Sequence, residues 1–149
     1  DVSTPTADLT TIKILWNSTI SSKKARFCTM DVKNFYLMTP MERPEFMQLP
    51  MGIIPEEIIR EYKLDKLEHN EKIYMRIEKG MYGLPQAGIL ANKQLTERLA
   101  TRGYHPCEHT PGLWKHGWRP VWFTLVVDDF GIKYKGRKHV NYLLETLKQ

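Results

Sequence analysis

Three carboxylates stand out in this 149-residue chain by type and position. Asp31 lies at the end of the alternating segment Phe27-Cys28-Thr29-Met30-Asp31-Val32, and Asp128-Asp129 breaks into the apolar run that starts at Val121. Adjacent buried carboxylates repel and take up protons unless a cation compensates them. Oxygen ligands of this kind suit a hard divalent ion, and two ions sharing carboxylates can clamp both oxygens of a phosphoryl transfer. Asp-Asp is also an ordinary turn dipeptide. What sets this pair apart is its place in a strongly apolar strand, where an idle charge would be costly.

Other residue types carry less. His105, Cys107 and His109 alternate, but zinc needs a second ligand cluster and none follows, so no zinc site is expected. Trp114, Trp118 and Trp122 recur every fourth residue across turn-rich sequence, which reads as packing before it reads as a base-stacking platform. Two basic clusters, Ser21–Arg26 and Lys133–Lys138, contribute to a formal net charge of +5. That excess permits a polyanionic partner without establishing one.

The elements that must position the acids follow from periodicity. Leu9, Ile12, Leu15, Trp16 and Ile20 recur at helical spacing and predict a helix over about 7–20. Strands are expected over 27–32, 45–49, 71–77, 113–115, 121–127 and 130–134, with Asp128-Asp129 at a hairpin tip. Pro55 opens a short helix. Pro85 opens a longer one whose face is Ala87, Leu90, Ala91, Leu95 and Leu99, and Gly103 stops it. Val140, Leu143, Leu144 and Leu147 mark a final helix, and residues 1–6 read as a tail. The sum is one α+β domain whose antiparallel sheet is covered on one face. Hydrophobic residues at 42% and charged residues at 26% are ordinary for a globular chain. No apolar run approaches the roughly 18 residues of a membrane-spanning helix. Two cysteines are too few for a disulfide scaffold, so an intracellular compartment is expected. The first residue is Asp1, and the chain reads as a piece of a longer one.

Taken in order, Met30-Asp31-Val32-Lys33-Asn34-Phe35-Tyr36-Leu37, Tyr82-Gly83-Leu84-Pro85-Gln86-Ala87 and Val126-Val127-Asp128-Asp129 resemble the palm of copia-type retrotransposon reverse transcriptases. The resemblance runs from about Thr10 to Gln149. It implies a right-hand polymerase palm, an antiparallel sheet with flanking helices, with most of the fingers, the thumb and ribonuclease H outside residues 1–149. It implies Asp31, Asp128 and Asp129 as catalytic carboxylates for two Mg²⁺ or Mn²⁺ ions, with the Val32 carbonyl as a further ligand. Tyr36 corresponds to an aromatic gate beneath the incoming sugar, and Gln86 to a glutamine near that nucleotide. Asn34 and Phe35 would offer backbone N–H groups to its triphosphate. The implied partners are an RNA or DNA template with primer, deoxynucleotide triphosphates and the rest of a polyprotein, with no membrane.

The sequence departs from that pattern at Val126, where the family usually has Tyr, at Phe130 after the acids, and at Pro85 in place of a common Lys. Two rivals follow. One is an inactive retrotransposon-derived relic that keeps the palm fold for binding or structure. The other is an unrelated α+β phosphotransferase sharing only the acids, with no use for Tyr36 or Gln86 beside them.

Overall fold

In the computed structural model, which describes residues 4–148, strand pairing divides the chain into a body and an arm. The order is α1 (Leu9–Ile20), β1 (Arg26–Asp31), β2 (Pro40–Pro50), α2 (Glu56–Tyr62), β3 (Lys72–Lys79) and α3 (Pro85–Thr101). Then come β4 (Tyr104–Pro106), β5 (Leu113–His116), β6 (Val121–Val126), β7 (Asp129–Tyr134) and α4 (Arg137–Leu147). The body is a five-stranded antiparallel sheet in the order β1-β7-β6-β5-β4. Strands β2 and β3 pair only with each other as a separate two-stranded arm. The α+β class expected from the sequence is what the chain adopts, with two sheets where one was expected.

Alternation along β6 and β7 sends Val121, Phe123, Leu125, Phe130 and Ile132 to one face. There they meet Leu95 and Leu99 of α3 and Val140 and Leu143 of α4. Pro85 sits in the first turn of α3, where its missing N–H costs nothing, and Ala87, Ala91, Leu95 and Leu99 form the buried stripe. Gly103 takes the left-handed conformation (φ 80°) that ends this helix.

The opposite face receives α1, so helices cover both faces, a correction to the one-sided sheet. The reason lies in Lys133. Its Nζ donates to the Ser18 carbonyl (3.0 Å), Ser18 Oγ (2.9 Å) and Ser22 Oγ (3.0 Å), and its stem crosses the sheet beneath the helix. An ammonium has three donors and needs acceptors, which Ser18 of α1 and Ser22 of the following turn supply. Of the expected apolar residues of α1, Leu15 is buried and Ile12 half-buried, whereas Leu9, Trp16 and Ile20 are exposed, and Thr19 takes a buried place beside Leu15.

Of the expected tail, residues 1–3 lie outside the described residues. By Ala7 the chain is docked: its N–H donates to Leu125 O (2.9 Å), while Leu125 N–H donates to Gly112 O (2.8 Å). Pro55 caps α2 from outside the helix instead of sitting in its first turn. The three tryptophans share no face. Trp114 stacks on Phe123 in the core, Trp122 is half-buried on the other face, and Trp118 is exposed.

Candidate active site

The hairpin between β6 and β7 closes at Val126 and Asp129. Its two-residue tip is therefore Val127-Asp128, and Asp129 is the first residue of β7, a one-residue correction to the tip read from sequence. Val127 has φ 59°, a region that a β-branched residue enters only under constraint from its surroundings.

Strand β1 runs antiparallel to β7 with Asp31 opposite Asp129. Val32 N–H donates to Asp128 O at 3.1 Å, which makes Val32 and Asp128 the hydrogen-bonded pair. Asp31 and Asp129 are then a non-hydrogen-bonded pair, in which Cα atoms approach to about 4.5 Å and side chains leave the same face. Val126 stands on that face beside Asp129. Like charges placed directly opposite are destabilising in a sheet. The three acids reach one sheet end from residues 98 positions apart in sequence. Asp31 and Asp129 are exposed and Asp128 is half-buried.

Tyr36 follows β1 in a compact turn held by Met38 N–H to Asn34 O (3.2 Å), Thr39 N–H to Tyr36 O (3.0 Å) and Thr39 Oγ1 to Phe35 O (3.2 Å). Its phenol is held above the ordinary tyrosine range, chiefly by burial and next by the charge of Asp128, which places ring and carboxylate in one field. Tyr82 meets the ring edge-on at 5.1 Å between centroids. The ring also lies against Gly88 of α3, and Tyr36, Tyr82, Leu84 and Pro85 line an open cleft of about 410 Å³.

Gln86 stands at the start of α3, as expected, and its Nε2 donates to Glu45 Oε1 of β2 at 2.7 Å. Asn34 (φ 57°) and Phe35 line a different cleft from Tyr36, together with Lys33, Arg98 and Lys148. The turn thus separates Tyr36 from the two residues before it. Chemically, the sheet end offers hard anionic oxygens beside a half-buried aromatic ring.

Comparison with protein families decides the relationship. The whole chain, residues 1–149, matches the family described as reverse transcriptase (RNA-dependent DNA polymerase). The chain belongs to the reverse transcriptase family. Comparisons with curated proteins and with solved structures gave no match.

As in a polymerase palm, the acids of this reverse transcriptase chain lie on an antiparallel sheet flanked by helices. Carboxylates and a backbone carbonyl such as that of Val32 are the donor types that Mg²⁺ and Mn²⁺ take. The donor set fits such ions by type. Among the described residues, no three acid, histidine or cysteine side chains close into a metal-holding group. Sequence reading missed three supporting residues: Tyr82 against Tyr36, Glu45 on Gln86, and Gly80. An added Cβ at Gly80 would stand 2.5 Å from Tyr36 O. Tyr82 and Gly80 lie in or beside the quoted Tyr82–Ala87 motif, whereas nothing local to Glu45 announces a partner 41 residues away.

Proposed function

We propose that residues 1–149 are the palm region of an RNA-directed DNA polymerase from a copia-type retrotransposon polyprotein. The reaction joins a deoxynucleotide to a primer 3′-hydroxyl and releases pyrophosphate. One observation carries this reading: in a chain of the reverse transcriptase family, strand register sets Asp31 opposite Asp129, beside the Asp128 tip. Asp31, Asp128 and Asp129, with the Val32 carbonyl, are the residues that would hold two Mg²⁺ or Mn²⁺ ions. Bound there, such ions supply a lowered pKa at the attacking hydroxyl and charge neutralisation at the leaving phosphate.

The chain's own residues position the reactants. Tyr36 presents a ring edge braced by Tyr82, which blocks a 2′-hydroxyl and selects deoxynucleotides. Gln86 offers a donor and an acceptor to the sugar end of the nucleotide and is steadied by Glu45. Asn34 and Phe35 open on a separate cleft from Tyr36, so a role for their backbone N–H groups at the triphosphate rests on the family resemblance alone. Template, primer and nucleotides are the partners, with the rest of the polyprotein supplying the remaining polymerase subdomains. A second reading, an inactive relic, is favoured by Val126, which sits beside Asp129 and can neither stack on nor hydrogen-bond a primer end.

Primer extension on an RNA template, using the full-length parent and its Asp128→Asn variant, tests both. Extension by the parent and its loss in the variant support the polymerase. A parent that binds template-primer yet never extends it would support the relic. Tyr36→Ala in an active parent admits ribonucleotides, and unchanged sugar selection would place the gate elsewhere.

A further inference from the structure

The end of the body sheet opposite the acids has a different character. The register that pairs Asp31 with Asp129 pairs Arg26 with Tyr134 at the other end. The loops flanking those residues, Ser21–Ala25 and Lys135–Gly136, are therefore neighbours although more than 100 residues separate them in sequence. Lys133 ties them together by donating to Ser22 Oγ (3.0 Å). Lys23, Lys24, Arg26, Lys135, Arg137 and Lys138 gather there, all exposed. Segments 9–30, 109–127 and 130–144, which build this end, contain none of the chain's 17 Asp and Glu. Among the described residues, none of the ion pairs involves these six cations.

The charges act on one another. Lys133 is held below the ordinary lysine range by burial and then by Lys135, and His139 is lowered by desolvation, then by Lys138 and Arg119. Next to them Trp118 is 72% exposed, with the Arg119 guanidinium 4.3 Å from its ring centroid. Self-repelling cations kept together without acids make a surface suited to a phosphate backbone.

We propose that this end of the sheet, formed by residues 23–26 and 135–138, is a second nucleic-acid contact that grips duplex phosphates by charge alone. This rests on the polymerase reading for the identity of the polyanion, but not on catalysis by the acids. Five residue steps of β1 separate Arg26 from Asp31, about 17 Å, or roughly five phosphates along one strand. A duplex ending at the acids could therefore reach both places at once.

The test is binding of the 149-residue chain to a fluorescent 20-base-pair DNA duplex by anisotropy, from 50 to 200 mM salt. Three variants are compared with the parent: Lys23→Ala/Lys24→Ala/Arg26→Ala, Lys135→Ala/Arg137→Ala/Lys138→Ala, and a control, Lys63→Ala/Lys66→Ala/Lys72→Ala, whose cations lie on the α2–β3 side. Loss of three phosphate contacts lowers the salt slope by about 2.7, so the parent's affinity falls about 40-fold more than the variant's over that range. Each sheet-end variant should show this and the control should not. Equal slopes for all four proteins, or an equal change in the control, would overturn the proposal. Binding to anionic phosphatidylserine vesicles with none to duplex would also overturn it and assign the surface to a membrane. Failure of the polymerase reading is visible separately: the full-length parent then binds duplex with its salt slope intact yet extends no primer.

Discussion

Replacing Gly80 by Ala should loosen the turn that holds Tyr36. The new methyl would stand 2.5 Å from Tyr36 O and 3.2 Å from the Ala87 Cβ. Contacts under 3.0 Å are not tolerated, so the Tyr36 carbonyl must retreat by about half an ångström. Backbone cannot swing aside as a flexible side chain can, and Gly80 N–H already donates to Thr39 O at 2.7 Å on the same turn. Overpacking of this kind costs about 1–3 kcal/mol. Ala also restricts the unfolded chain, which offsets about 0.4–1 kcal/mol. The net loss is about 1–2 kcal/mol, or a fall in Tm of about 2–8 °C for a chain of this length. Gly52→Ala is the comparison, because nothing lies within 4 Å of a Cβ there and its φ is not left-handed. It should leave Tm unchanged or raise it slightly. Thermal unfolding followed by circular dichroism reads both. A Gly80→Ala protein that melts with the parent would refute the close approach of this turn to α3 and the bracing of Tyr36 built on it.

Further outcomes are expected at three residues. Tyr104 is buried and its hydroxyl has no partner among the described residues, so Tyr104→Phe should raise stability by about 1 kcal/mol in urea unfolding; a loss would mean the hydroxyl is satisfied. Burial also holds the Tyr104 phenol far above its ordinary value, so the folded state keeps a proton the unfolded state releases. Stability should fall as pH rises above about 10, less steeply in Tyr104→Phe. His116 Nδ1 accepts from the N–H groups of Trp118 (3.2 Å) and Arg119 (3.1 Å), and burial, then Arg119, holds its imidazole below the usual range. The unfolded state therefore binds more protons below about pH 6.5, and Tm should drop between pH 7 and pH 5; His116→Gln should flatten that drop, and an unchanged profile would remove His116 as its source. Val127→Gly relieves a left-handed φ but gives up side-chain contact and adds chain entropy, so its stability should stay within about 1 kcal/mol of the parent, whereas Val127→Ile should gain nothing. Urea midpoints for the pair decide that point.

Much of the body could be read because its sequence signals are local. Pro85 at a helix start, the four-residue spacing from Ala87 to Leu99 and the apolar run of β6 each dictate an element without help from elsewhere. The α1 face could not be read this way. Its orientation depends on Lys133, 115 residues from Ser18, and a helix whose inward face must accept hydrogen bonds defeats the rule that apolar residues turn inward. The separate β2–β3 arm was hidden for a similar reason, since alternation identifies strands but not their partners. At the site, residue types marked the acids, while the one-residue offset of the tip is set by the register of β6 on β7. Glu45 became visible only through its contact with Gln86.

The pairing of β1 with β7 has a consequence for how the chain is made. Asp31 meets its neighbour 98 positions later, and the connecting loop contains the whole arm and α3. At about 5–20 residues per second, β1 leaves the ribosome about 5–20 s before β7 can join it. During that interval its pairing edge has no partner in the nascent chain, and closing so long a loop is the slow part of such a topology. The acids are thus assembled among the last contacts of folding. A chain truncated between Thr101 and Asp129 would keep the α1 and α3 sequences while leaving β1 without its partner strand, its edge open to pair with another molecule.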